Sequence, residues 1–140
     1  MSGRVEAIWT KRARGGVMDP QDAVTALEGK GIEGDANFGA TRQVTVIEKE
    51  VFDALRDELG PDVDPKMRRA NLMVSGVRLA HTRDRVLHVG DCRIRILGET
   101  TPCNLMDEML SGLRQALQPD WRGGVYGVVL DDGEVRLGDA

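Results

Sequence analysis

Aromatic side chains are scarce, with Phe, Trp and Tyr together making up 4% of the 140 residues. Binding nucleic acid by base stacking needs a cluster of them. Trp9 and Trp121 have no such company, so they are expected in the core or at its rim. Cysteine is equally sparse: Cys92 and Cys103 permit at most one disulfide. There is no CxxC pair, and His81 and His88 are the two histidines, so the strong zinc patterns are missing. No stretch of about 18 apolar residues occurs, which excludes a hydropathic membrane-spanning helix. The opening Met1-Ser2-Gly3-Arg4-Val5 lacks the apolar run of a secretion signal. Reduced thiols and a cytoplasmic location are therefore expected. Tandem repeats, low-complexity tracts, a P-loop, a dinucleotide fingerprint and a readable Ser-His-Asp order are also missing. The net charge of −4 gives no electrostatic reason to expect nucleic acid or an anionic membrane as partner.

What remains is an ordinary globular composition, 41% hydrophobic and 30% charged, at a length that suits one domain over residues 1–140. Most of the chain reads as short strands. Arg4–Thr10 and Ala23–Leu27 are β-prone, separated by a polar stretch, Lys11–Pro20, that reads as a loop. Three glycines, Gly29, Gly31 and Gly34, then demand a sharply bent backbone. Gln43–Ile47 is rich in β-branched residues. Val51, Phe52, Leu55 and Leu59 recur at helical spacing, and Gly60-Pro61 stops that helix. Pro65–Ala70 suggests a single helical turn and Asn71–Val74 another strand. Cys92, Ile94 and Ile96 alternate with Arg93 and Arg95, one dry face and one wet. Asn104–Leu117 carries an apolar stripe of a second helix. Gly127–Leu130 and Glu134–Leu137 flank Asp131-Asp132-Gly133, a hairpin signal. The sum is a mainly β (α+β) fold, a small closed or nearly closed β-barrel with a few peripheral helices.

Cys103 is the residue whose setting departs from the default. Cys92 shares its dry face with Ile94 and Ile96 and reads as a packing residue. Cys103 follows Pro102, which restricts the backbone, and precedes a helical pattern whose N-terminus favours thiolate. Asp107 and Glu108 oppose that effect, and the balance is left open by the sequence. A thiolate there would attack sulfur or bind a soft metal. Arg68-Arg69-Ala70-Asn71 offers two guanidinium forks suited to phosphate, and an amide for directional hydrogen bonds. Arg122 stands beside Gly123-Gly124, where a ligand could approach the backbone. Asp35, Asn37 and Arg42 form a further polar group after the glycine-rich bend. Each of these is also compatible with a structural role. Gly34-Asp35, Gly90-Asp91 and Gly138-Asp139 recur as Gly-Asp pairs, read as turn chemistry.

Taken in order, these motifs resemble the MOSC domain, the C-terminal domain of molybdenum cofactor sulfurases. The resemblance rests on Lys30-Gly31-Ile32-Glu33-Gly34-Asp35, on Arg42-Gln43-Val44-Thr45-Val46-Ile47 with Glu50, and on Arg68-Arg69-Ala70-Asn71-Leu72-Met73-Val74-Ser75-Gly76. It continues through Leu79, Val89-Gly90-Asp91, Pro102-Cys103, Arg122-Gly123-Gly124-Val125-Tyr126-Gly127-Val128 and Gly138-Asp139. It implies a β-barrel with peripheral helices that binds the molybdenum cofactor (molybdopterin). On it, Cys103 is the catalytic residue and metal ligand or the persulfide site. Arg68, Arg69 and Arg122 are implied for the pterin's phosphate, Asn71 for its polar edge, with Asp35 and Arg42 in the same cofactor-binding set. One departure stands out: Asn37 lies where family members often carry histidine.

Two mechanisms follow from the resemblance, a sulfur carrier serving donor and acceptor proteins, or a molybdenum centre reducing N-hydroxylated compounds. The alternative is a non-catalytic interaction module in which Cys103 is a packing residue.

Overall fold

Alternating and β-branched segments form strands β1 (Arg4–Lys11), β2 (Met18–Gln21), β3 (Ala23–Leu27), β4 (Gly31–Ile32) and β5 (Val44–Glu48) in a computed structural model. Helix α1 (Lys49–Leu59) follows, then a 3-10 turn at Pro65–Arg68 and strands β6 (Leu72–Ser75), β7 (Val86–Val89) and β8 (Cys92–Glu99). Helix α2 (Leu113–Leu117), a 3-10 turn at Pro119–Trp121, β9 (Val125–Val129) and β10 (Gly133–Arg136) complete the order. The structure describes residues 3–13, 17–100, 110 and 112–139.

Seven strands form one sheet in the order β2-β1-β6-β5-β9-β8-β7, and β10-β3-β4 form a second. β5 and β6 are parallel, joined by the crossover that contains α1, whereas the other pairings are antiparallel. The inner face of the large sheet supplies Val44, Val46, Leu72, Val74, Ile94, Ile96, Val125 and Val129 to a core closed by Val24, Ala26, Ile32 and Val135 of the small sheet. Its outer face carries Trp9 and Ile47 into a second core with Phe52 and Leu55 of α1 and with Leu113 and Leu117 of α2. Helix α1 has the expected stripe, and Gly60 ends it at φ 100°, its N–H donating to Arg56 O at 2.9 Å. β8 alternates as its sequence dictates, with Cys92, Ile94 and Ile96 buried and Arg93 and Arg95 exposed.

The mainly β class with two helices holds. Closure into a barrel is not confirmed, because the ladders end at β2 and β7 on one sheet and at β10 and β4 on the other. Single hydrogen bonds stitch the two sheets instead: Gly29 N to Val129 O (2.9 Å), Val5 N to Asp139 O (2.8 Å) and Gly138 N to Val5 O (2.8 Å).

Three local expectations give way. The stretch read as a loop ends in β2, which pairs with β1 so that Trp9 faces Pro20. Proline is tolerated there because β2 is an edge strand. The Asp131-Asp132-Gly133 segment makes no hairpin: β9 already has β8 and β5 on its two edges, so β10 pairs with β3. The helix expected over Asn104–Leu117 cannot run unbroken, since Gly112 has φ 87° and α2 starts only at Leu113. Residues 104–109 lie outside the described residues. The three Gly-Asp pairs are turns, with Gly34, Gly90 and Gly138 all at positive φ.

Gln43, 6% exposed, fills the seam between the sheets. Its Nε2 donates to Gly29 O at 3.0 Å and its Oε1 accepts from Val129 N at 3.0 Å. A buried donor stripped of its acceptor costs about 1–3 kcal/mol. Gln43→Ala is therefore expected to lower the unfolding free energy by that amount in urea titration, with an unchanged slope.

Candidate functional site

β5 is the axis on which the sequence-predicted residues can be placed, because they gather near one end or the other. At its start lies Asn71, 2% exposed, just before β6. Its Oδ1 accepts from Thr45 N at 3.0 Å, and its Nδ2 donates to Trp9 O at 3.2 Å and to Asp35 Oδ1 at 3.1 Å. The amide thus continues the β-ladder of β6 to both neighbours, β1 and β5, as an extra peptide group would. Asp35, 5% exposed, also accepts from Lys11 N at 2.9 Å through Oδ1 and from Asn37 N at 3.0 Å through Oδ2. The structure therefore joins Asp35 and Asn71 directly, and the polar atoms of both are taken up within the fold.

Arg68 reaches toward the start of β9. Its Nε donates to Gly123 O at 2.9 Å and one terminal nitrogen donates to Thr100 O at 2.9 Å. Thr100, 3% exposed, donates its hydroxyl to the same Gly123 carbonyl and its N–H to Gly124 O at 2.9 Å. The guanidinium thus clamps the end of β8 to the approach of β9. The glycine pair fits this closeness: a Cβ on Gly123 would collide with Thr100 O, and one on Gly124, at φ 90°, with Val46 O. These glycines admit neighbouring chain, a different use from the ligand approach expected at them.

Arg122 and Arg42 point elsewhere. Arg122 donates to Glu58 Oε2 at 2.8 Å and to Ala116 O at 3.2 Å, which ties it to both helices. Arg42 is exposed, with its guanidinium carbon 4.5 Å from the centre of the Tyr126 ring. Arg69 is half-buried and has φ 61°. Cys103 lies outside the described residues. Among the described residues, no group of three or more His, Cys, Asp or Glu side chains is placed to hold a metal, and no helix is long and apolar enough to cross a membrane.

Backbone strain concentrates near this clamp. Arg69, His81 and Trp121 are non-glycine residues at positive φ, with Asp84 a fourth. Arg69 adjoins Arg68, and the His81 and Trp121 rings meet with centroids 5.5 Å apart, one residue from Arg122. Such conformations cost about 1–3 kcal/mol each and persist where surroundings over-determine them. Thr45, Thr100 and Glu48 were missed by sequence reasoning. A threonine in a β-branched run carries no signal distinguishing a ladder-locking hydroxyl from a strand former, and Glu48 looks like a strand-end charge.

Two titratable groups are informative. Cys92, 2% exposed, has its thiol pushed up by burial and then by Asp131, Asp91 and Asp132, the opposite of thiolate activation. Glu48 is pushed above the ordinary glutamate range, first by desolvation and further by Glu50, with the Leu79 N–H and Arg78 pulling the other way. A raised folded-state value means that this group's favourable contribution is complete below the ordinary range and is lost as pH rises through the raised value. Glu48→Gln is thus expected to be more stable than the parent at neutral pH, with the gain vanishing near pH 4, roughly the ordinary value. Urea titrations at the two pH values check this. Asn71→Ala strips partners from Thr45 N, Trp9 O and the buried Asp35 carboxylate. It is expected to cost roughly 3 kcal/mol or more in the same assay.

The family model described as the MOSC domain matches residues 33–140. Among curated proteins no significant sequence match is found. Solved structures extend the likeness across nearly the whole chain. The YuaD protein of Bacillus subtilis superposes with a TM-score of 0.83 at 21% identity, covering 99% of this chain and 93% of that one. YiiM of Geobacillus stearothermophilus gives 0.76 at 15% identity over 99% of this chain and 73% of that one. YiiM of Escherichia coli gives 0.71 at 17% identity over 97% and 67%. Identities this low speak to the fold alone.

Proposed function

The chain belongs to the MOSC domain family, and from that premise we propose a molybdenum-cofactor-binding protein in which Cys103 is the metal ligand or persulfide carrier. The observation that carries this reading is the Arg68 clamp on Thr100 and Gly123. Thr100 is the last described residue before Cys103. Cys103 follows it by three residues in the sequence, so the clamp fixes the point from which that segment departs.

The donor set fits the cofactor's chemistry in part. A cysteine thiolate suits a soft metal or a persulfide sulfur. Guanidinium groups suit its phosphate, and Arg68, Arg69 and Arg122 are the residues assigned to it on this reading, with Arg42, exposed over Tyr126, in the same cofactor-binding set. Arg68 would act on Cys103 by holding Thr100, while Asp35 and Asn71 brace the framework beneath. When bound, the cofactor supplies a redox-active molybdenum centre. As a carrier, the protein would instead take sulfur from a donor protein and deliver it to an acceptor, and as a catalyst it would reduce N-hydroxylated compounds. In either case we take residues 1–140 as one cytoplasmic domain.

A specific observation favours the alternative, a non-catalytic interaction module: the polar atoms of Asp35, Asn71 and one nitrogen of Arg122 are already spent inside the fold. One experiment separates the readings. Wild type and Cys103→Ser are purified anaerobically from cells that make the cofactor, and molybdenum and pterin are quantified per chain. Near-stoichiometric amounts in wild type, lost in a folded mutant, are expected for the ligand role. Equal retention in both removes Cys103 from binding. Absence of both components, even after exposure to free cofactor, together with an unreactive native thiol, points to the module.

A further inference from the structure

At the opposite end of β5 from the Asn71 knot, the molecule contains a cavity of about 470 Å³ lined by Glu48, Glu50, Val51, Ala54, Gly76, Val77, Arg78, Ala80 and Arg122. It opens at the carboxyl ends of β5 and β6, between α1 and the chain leaving β6. Carboxyl ends of parallel strands are where ligand crevices form in α/β units, because the chain turns away there and leaves backbone uncovered. Its size falls within the range of small-molecule sites, roughly 300–1,000 Å³.

The walls are preset. Glu50 Oε2 accepts from Gly76 N at 2.7 Å, which fixes the loop against α1, and Arg122 is held by Glu58. Val51, Ala54, Val77 and Ala80 make much of the lining apolar. Two charges remain. Glu48 is half-buried, and Arg78 is exposed beyond it. Arg78 is near enough for its charge to act on Glu48, yet among the described residues no ion pair joins Arg78 to any carboxylate. The Glu48 and Glu50 carboxylates and the Arg78 guanidinium thus share one largely apolar-walled cavity without forming an ion pair. The complementary ligand carries an ammonium for Glu48, a carboxylate for Arg78 and an apolar body between the walls.

We propose that this cavity is a binding site for a small apolar α-amino acid, a role that requires no cofactor. Burial disfavours the Glu48 carboxylate despite the Leu79 N–H, and the charge of a bound ammonium would offset that cost.

The test is calorimetric titration with L-phenylalanine, L-phenylalaninamide, which lacks the carboxylate, and N-acetyl-L-phenylalanine, which lacks the ammonium. Each modified probe is expected to bind at least about tenfold more weakly than the parent compound, a loss typical of one charged contact. Glu48→Gln should weaken L-phenylalanine about tenfold and leave the N-acetyl compound unchanged. Arg78→Ala should weaken L-phenylalanine similarly and leave the amide unchanged. Glu48→Gln is expected to fold at least as well as wild type, so misfolding does not mask the result. Cys103→Ser should bind L-phenylalanine like wild type, which separates this site from the cofactor reading. No saturable heat with L-phenylalanine up to about 10 mM, well above the millimolar range of a weak site, overturns the proposal. So does a loss in either variant that is the same for all three compounds.

Discussion

A strand that ends between two neighbours leaves their next peptide groups without partners, and inside a protein such groups are expensive. At the start of β6 this problem is solved by one side chain. Asn71 extends the ladder sideways in both directions, to Thr45 on β5 and Trp9 on β1, and ties in the carboxylate of Asp35. Much else presupposes that arrangement. The parallel pairing of β5 with β6 starts from it, the glycine-rich bend is anchored to it through Asp35, and α1 packs on a sheet whose middle strands it aligns. An amide is suited to the task because it donates and accepts at once. Aspartate at the same place would set two carboxylates face to face.

The central strands therefore have two unlike ends. One is a closed polar knot with its hydrogen-bonding capacity used up. At the other, Arg68 clamps Thr100 to Gly123 and α1 leaves an apolar hollow beside Glu48 and Arg78. Non-glycine residues at positive φ gather at this second end, at Trp121 and its ring partner His81.

Much of the fold was legible because periodicity reports burial. α1 announced itself through Phe52 and Leu55, and β8 through Cys92, Ile94 and Ile96, where one face is wet and the other dry. What failed was information about partners. Asp131-Asp132-Gly133 has the chemistry of a hairpin, but whether a turn becomes one depends on free strand edges, and β9 had none. Pro20 argued against a strand only so long as its edge position was unknown. At the site, residue types were readable and commitments were not. Asn71, Asp35 and Arg122 looked equally able to face a ligand or a neighbour, and the structure shows the neighbours each of them has within the fold. Glu48 and Arg78 raised no signal, since a cavity is a property of distant segments brought together.

The pairing of β3 with β10, and of Val5 with Asp139, has a bearing on how the molecule is made. Elements near the amino end find these partners only in the last residues shown here. During vectorial synthesis β3 keeps one edge open until β10 emerges, and unpaired edges are sticky. The β3–β10 ladder is thus late to form, although β3 meets β4 early, and the nascent chain carries an open edge until β10 is made.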